Sequence, residues 1–263
     1  MTNTMLMNNS KSHYPKLHYP RAALAWAILM SWSLPWARGE DPAKPVSIRP
    51  QPHDAEWAVS WWMPRHEQKL KEKKDLKNCQ VVWIGDSITH GWEGEGKGIW
   101  DARFAKYQPL NLGFSGDRTE HVLWRLQNGA VEGLHPKLVI LMIGTNNAGH
   151  RKEASADTAL GIETILKDLK TRLPESRVLL LAIFPRGDGP SDELRQLCNG
   201  TNERIAKLAD DKQVFFLDIN ARFLDKDGNL PADVMPDKLH PNRKGYEIWA
   251  DAVEQRVQEL VSR

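Results

Sequence analysis

Apolar residues in this chain fall into short unbroken runs that alternate with longer stretches where they recur every three or four positions. Val81-Val82-Trp83-Ile84 breaks at Gly85. Tyr107 to Leu112 leads into Gly113-Phe114-Ser115-Gly116-Asp117, and Leu138-Val139-Ile140-Leu141-Met142-Ile143 ends in Gly144-Thr145-Asn146-Asn147. Arg177 to Phe184 and Val214-Phe215-Phe216-Leu217 complete a set of five runs. Their length and apolarity predict strands covered on both faces. Helical spacing fills the intervals. Val122, Leu123 and Leu126 lie between a Thr119 cap and Gly129, and Ile162, Ile165, Leu166, Leu169 and Leu173 run up to Pro174. Ser191 to Asp210 predicts another helix, and a last one carries Tyr246, Trp249, Ala250, Val253 and Val257 on its inner stripe. Strands that alternate with helices need crossover connections. That predicts an α/β fold with a central five-stranded parallel sheet between two helical layers. Gly91-Trp92-Glu93-Gly94-Glu95-Gly96-Lys97-Gly98 reads as a loop near the mouth of a site, made flexible by its glycines. It is not a phosphate loop, because Lys97 is followed by Gly98 and Ile99 rather than by a hydroxyl residue opening a helix.

The beginning of the chain follows another pattern. Lys11, Lys16, Arg21 and Arg38 are the only formal charges in residues 1–39, and Ala22-Ala23-Leu24-Ala25-Trp26-Ala27-Ile28-Leu29-Met30 is apolar. Basic first and apolar second predicts a secretory signal over 1–39, with Ala37 or Gly39 suited to cleavage. The apolar stretch is shorter than the ~20 residues of a membrane span. The expectation is therefore an exported chain with no stable membrane span after cleavage, a retained anchor being the alternative. Pro42, Pro45, Pro50 and Pro52 make residues 40–56 an extended lead-in. Residues 57–263 are expected to form one domain, since 263 residues at 41% hydrophobic suffice for one large core and are short for two. From Trp57 the spacing turns helical. Trp61 and Leu70 point inward, Lys69, Lys71, Glu72, Lys73, Lys74 and Lys77 make a solvated face, and His66 is structural.

Loss of residues 1–39 removes four basic groups and no acidic one, taking the net charge from +2 to −2. That excludes the basic face that nucleic-acid binding requires. Cys79 and Cys198 either form one disulfide or stay as two buried thiols, and neither is placed for catalysis.

Candidate chemistry lies in the turns that end the strands, because loops at the carboxyl edge of a parallel sheet form the crevice where ligands bind. Ser87 follows Gly85-Asp86 there. Gly116 and Asn146 follow the next runs, and Asp237-Lys238-Leu239-His240-Pro241 precedes the last helix. A serine hydroxyl needs a base, an orienting group and donors for an oxyanion, and these turns supply them. Pro236 and Pro241 bracket the Asp237/His240 turn and restrict it. Taken singly, each residue has a plain structural reading. Ser87 reads as a helix cap, Asn146 as an Asx turn, Gly116 as a positive-φ turn, and Asp237 and His240 as a surface loop.

Taken together, Gly85-Asp86-Ser87, Gly113-x-x-Gly116-Asp117, Gly144-Thr145-Asn146-Asn147 and Asp237-x-x-His240 resemble, in order and spacing, the four blocks of the SGNH (GDSL-type) hydrolases. Ile88 stands where leucine is usual, a volume-conserving change. The resemblance implies a flavodoxin-like three-layer α/β/α sandwich. It also implies Ser87 as nucleophile, His240 as base, Asp237 as the group that orients it, and an oxyanion hole made by the Ser87 and Gly116 N–H groups and the Asn146 amide. Trp61-Trp62-x-x-Arg65-His66, Gly91-Trp92 and Gly116-Asp117-Arg118-Thr119 are most similar to bacterial relatives of the platelet-activating-factor acetylhydrolase catalytic subunits, which implies short acyl groups. The expected substrate is a small-molecule or carbohydrate acetyl ester, with a lipid ester second and no cofactor. Asp86, His90, Asp117, His121 and His150 are residue types that suit zinc or manganese. They lack a ligand spacing such as His-Glu-x-x-His, so no metal is expected. A metallohydrolase and a non-catalytic carbohydrate-binding relative are the rival classes. Arg118 and Arg186 border the crevice, where they either pin loops or meet a substrate anion, and oligomeric state has no signature here.

Overall fold

A computed structural model describes residues 44–263 of the chain, Lys77 excepted. The expected signal segment lies outside the described residues. Strands β1 (Val81–Gly85), β2 (Leu110–Gly113), β3 (Leu138–Met142), β4 (Arg177–Leu181) and β5 (Val214–Leu217) form one parallel sheet in the order β2-β1-β3-β4-β5. The helices are α1 (Glu56–Val59), α2 (Trp62–Asp75), α3 (Ser87–His90), α4 (Lys97–Arg103), α5 (Thr119–Gln127), α6 (Thr145–Arg151), α7 (Ser155–Arg172), α8 (Glu193–Ile205) and α9 (Arg243–Ser262). Successive strand residues point to opposite faces. Val82, Ile84, Leu112, Val139 and Leu141 pack with residues of α5, α7 and α8, while Val81, Trp83, Ile140, Met142 and Leu179 pack with α4 and α9. The expected α/β/α sandwich is thus the observed fold.

Strand boundaries are tighter than apolarity alone predicts. Tyr107 ends a 3-10 turn, and Gln108 is left-handed at φ 46, so β2 starts only after Pro109. β4 stops at Leu181 although Ile183 is buried, because the Asn202 side chain takes both the N–H and the carbonyl of Ile183, at 2.8 and 2.9 Å.

Three expectations change on packing grounds, and one left open is settled. The glycine-rich stretch is not a flexible loop: it is a 3-10 turn, Gly91–Glu93, running into α4. A Cβ on Gly91 would strike the Tyr246 hydroxyl, and one on Gly96 would lie 2.5 Å from the Trp92 ring, so these glycines admit α9 to close contact. Lys69 is buried rather than solvated, its ammonium 2.7 Å from both Glu72 and Glu93. Thr119 does not cap α5; His121 Nδ1 accepts the Arg118 N–H at 3.1 Å instead. Cys79 and Cys198 are separate buried thiols, each pushed up to about 11 by burial. His66 is buried, with Nε2 3.1 Å from the Asn128 carbonyl, as a structural histidine.

Candidate active site

Ser87 opens α3 directly after β1. It is not the cap: Asp86 holds that position, its Oδ1 accepting from the Ile88 N–H at 2.9 Å. The Ser87 hydroxyl is thereby left for other work, and it lies 2.9 Å from His240 Nε2, a residue 153 positions away. Across the ring, His240 Nδ1 is 2.6 Å from Asp237 Oδ2. Asp237 Oδ1 accepts from the backbone N–H groups of Leu239 at 3.1 Å and His240 at 2.7 Å, so the carboxylate itself folds the turn tight and the flanking prolines only border it. Lys238 takes the left-handed conformation at φ 60, its ammonium held by the Leu230 carbonyl at 2.7 Å. Burial works to raise the Asp237 pKa, but hydrogen bonds from the His240 side chain and backbone outweigh it and keep the carboxyl below its usual range. An ionised carboxylate only accepts. The proton therefore sits on Nδ1, and Nε2 accepts from the Ser87 hydroxyl.

Gly116, in the turn after β2, has φ +79. A Cβ there would collide with the Trp57 ring and fall 3.0 Å from His53 Nε2, so no side chain fits in front of this backbone. Asn146 stands in the first turn of α6, 5% exposed, and its Nδ2 donates to the Asp117 carbonyl at 3.0 Å. One amide hydrogen thus fixes the Gly116-Asp117 turn while the other stays available to a ligand. Asn147 extends the tie: Oδ1 accepts from the Thr119 N–H at 3.2 Å, and Nδ2 donates to Glu153 at 2.5 Å. Beneath them the fully buried Glu120 accepts from Arg118 Nε at 2.6 Å and Arg151 Nη1 at 2.5 Å. The Ser87 N–H, in a helical first turn, has no intrahelical acceptor. A hydroxyl with an adjoining imidazole can add to a carbonyl, and backbone N–H groups and a side-chain amide of the kind that Ser87, Gly116 and Asn146 carry can receive the resulting oxyanion.

Residues considered for a metal have other partners. Burial pushes Asp86 up to about 7. It also pushes Asp117 up to about 6, against the opposing effect of Arg125 Nε at 2.9 Å and Trp62 Nε1 at 2.6 Å. His90 is lowered to about 4 by burial and then by the nearby Arg65 charge, and its Nδ1 lies 3.0 Å from Ser115 Oγ. His150 Nδ1 lies 3.3 Å from Arg118 Nη1. Among the described residues, no group of three His, Cys, Asp or Glu is placed to hold a metal ion. Arg186 donates to the Thr145 carbonyl at 2.7 Å, so it and Arg118 pin loops. Sequence reasoning missed four contributors. Tyr246 donates its hydroxyl to the Ile88 carbonyl at 2.7 Å, Glu120 braces the donor turns, and His53 and Trp57 back Gly116. The one signal for the last pair was a tryptophan directly after a polar, proline-rich lead-in.

The sequence model of the GDSL-like lipase/acylhydrolase family matches residues 83–248. The chain belongs to this family. The acylhydrolase is 38% identical over 212 residues to platelet-activating factor acetylhydrolase IB subunit alpha1 of Homo sapiens, covering 79% of its own length and 85% of the relative. It is 33% identical over 204 residues to subunit alpha2 of Rattus norvegicus, covering 76% and 85%. Among solved structures, a GDSL-like lipase from Bacteroides thetaiotaomicron aligns at TM-score 0.61 and 21% identity, over 74% of this chain and 97% of that one. An acetylxylan esterase from Geobacillus stearothermophilus aligns at 0.55 and 20%, over 69% and 93%. The acylhydrolase is a carboxylic ester hydrolase, the class its four sequence blocks predicted.

Proposed function

We propose that this acylhydrolase is an exported esterase that removes short acyl groups, acetyl foremost, from carbohydrate esters by a Ser87-His240-Asp237 triad. The observation that carries the mechanism is the 2.9 Å separation of Ser87 Oγ and His240 Nε2, with Asp237 2.6 Å behind the ring. Ser87 Oγ bonds to the ester carbonyl carbon as its proton passes to Nε2. The carbonyl π electrons move onto oxygen, which the N–H groups of Ser87 and Gly116 and the Asn146 amide receive. Collapse expels the alcohol, which takes the proton from Nε2. Water then repeats the sequence on the acyl-serine and frees the acid. Asp237 stays ionised throughout and holds the imidazole tautomer.

Short acyl groups are supported by the relatives at 38% identity, which are named acetylhydrolases. A bulky polar alcohol is supported by the openness of the base end, where the Asp237 and His240 side chains are 55% and 43% exposed. Export is supported by the basic-then-apolar order of residues 1–39. A lipid acetyl ester is the second reading, favoured by the same relatives' full name.

The test is hydrolysis of p-nitrophenyl esters. Acetate should be cleaved fastest and octanoate slowest, a serine-reactive phosphonate should abolish turnover, a chelator should spare it, and Ser87→Ala should lower kcat by about 10⁴-fold or more. Turnover that persists in Ser87→Ala would refute the triad. A flat or rising chain-length profile would refute the short-acyl reading, and release of acetate from acetylated xylan but not from a lipid acetyl ester would favour the carbohydrate reading over the lipid one.

A further inference from the structure

Large apolar side chains exposed among the described residues are Trp57, Val59 and Met63, at 53%, 58% and 38%. Scattered exposure of this kind needs no explanation. Trp57 is different, because its ring lies against the backbone of Gly116. Trp57 and Trp61 stack with centroids 6.2 Å apart and planes inclined by 29°. Trp61 reaches His90, on the helix opened by Ser87, at 6.2 Å, and Trp57 meets His150, on the helix that carries Asn146, edge-on at 6.4 Å. One aromatic strip therefore touches all three segments that present a donor.

The strip is also mounted from behind. His53, 4% exposed, packs edge-on against Trp57 at 4.8 Å and stacks on His121 at 4.3 Å. Its Nε2 lies beside the Gly116 backbone without a well-aligned hydrogen bond. A wet indole held in place, with a polar atom buried next to it, is the form of a ligand surface that costs little to order.

We propose that Trp57 and Trp61 form the subsite for the alcohol part of the ester, and that its occupant is a pyranose ring of an acetylated oligosaccharide. This rests on the short-acyl reading, under which the alcohol is the only large part of the substrate. A pyranose lays a face of C–H bonds on an indole while its hydroxyls project sideways to polar groups. Exposed Asp54 and Glu56 flank the strip, with His150 at its edge. A quaternary ammonium fits less well. It is best held by aromatic faces that enclose it with no other cation nearby, whereas Arg118 places positive charge beside His150 at the edge of the strip. Nor does a membrane surface fit, because the only formal charges between Arg49 and Arg65 are those two carboxylates.

The test uses the full chain carrying Ser87→Ala, titrated calorimetrically with an acetylated xylo-oligosaccharide, with choline and with phosphatidylcholine vesicles. The oligosaccharide should bind, and adding Trp57→Ala should weaken it at least tenfold while Trp57→Phe weakens it less. In the active enzyme, Trp57→Ala should lower kcat/KM on the acetylated oligosaccharide at least tenfold more than on p-nitrophenyl acetate. The subsite is overturned by absent oligosaccharide binding, by binding indifferent to Trp57→Ala, by equal losses on both esters, or by Trp57-dependent binding of choline or vesicles instead. An oligosaccharide that binds through Trp57 yet keeps its acetyl groups would uphold the subsite and refute the carbohydrate-esterase reading.

Discussion

Asn146, Asp117 and Asn147 are 5% exposed or less, whereas the Asp237 and His240 side chains show about half of their surface to water. The donor side is cross-tied, since the Asn146 amide holds the Asp117 carbonyl and Glu120 joins Arg118 to Arg151. The base side is one short turn that folds on its own carboxylate. The difference fits the roles proposed for the two sides. Donors stabilise an oxyanion only if they are already aimed, because reorienting them during the reaction forfeits the gain. A proton carrier needs one partner on each side of its ring and contact with the leaving alcohol, which an exposed turn allows.

The largest effect that tests this contrast is Asn146→Ala. It should lower kcat by about 10²- to 10³-fold with little change in KM, since it deletes a donor and releases the Asp117 turn together. Asp237→Ala should cost less, about 10- to 10²-fold in kcat, because water reaches the exposed turn and can accept from Nδ1 in place of the carboxylate. A larger loss for Asp237→Ala than for Asn146→Ala, measured with p-nitrophenyl acetate, would reverse the ranking of the two sides. The smallest effect concerns stability against pH. Burial lifts Asp86 to about 7, so the folded chain holds that proton more tightly than the unfolded one. The stability it contributes is complete below the ordinary carboxylate value of about 4 and is lost as pH rises to about 7. Asp237 has the opposite sign: its pKa is depressed, and its contribution is lost only as pH falls below the ordinary value. Asp86→Asn, which can still accept from the Ile88 N–H, should flatten the fall of Tm between pH 4 and 7. Asp237→Asn should leave that slope as it is. Equal slopes in wild type and Asp86→Asn would show that the buried carboxylate is not the pH-sensitive group.

The same contrast explains what could be read from sequence. β3 was legible because its residues are covered on both faces, and unbroken apolarity has few other causes. Turns holding Ser87, Gly116, Asn146 and His240 were legible because each carries its own chemistry within a few residues. Interactions between distant elements left no local trace. Nothing near Asn202 announces that its side chain ends β4, nothing near Lys69 shows that Glu93 lies opposite, and the alternating glycines at 91–98 look mobile until Tyr246 is packed on them. His53 was passed over because an extended, proline-rich segment has no periodicity to show which side chains touch the domain, and Trp57 because a single turn of helix is too short to show which face it buries.

Tyr246 carries one further consequence. Its hydroxyl reaches from the 20-residue helix α9 to the carbonyl of Ile88, the residue beside Ser87. An unfinished copy ending before Arg243 would hold the Ser87 turn without this clasp, and with His240 on a loose tail. Placement of the Ser87 turn is thus tied to the docking of the last helix on the sheet.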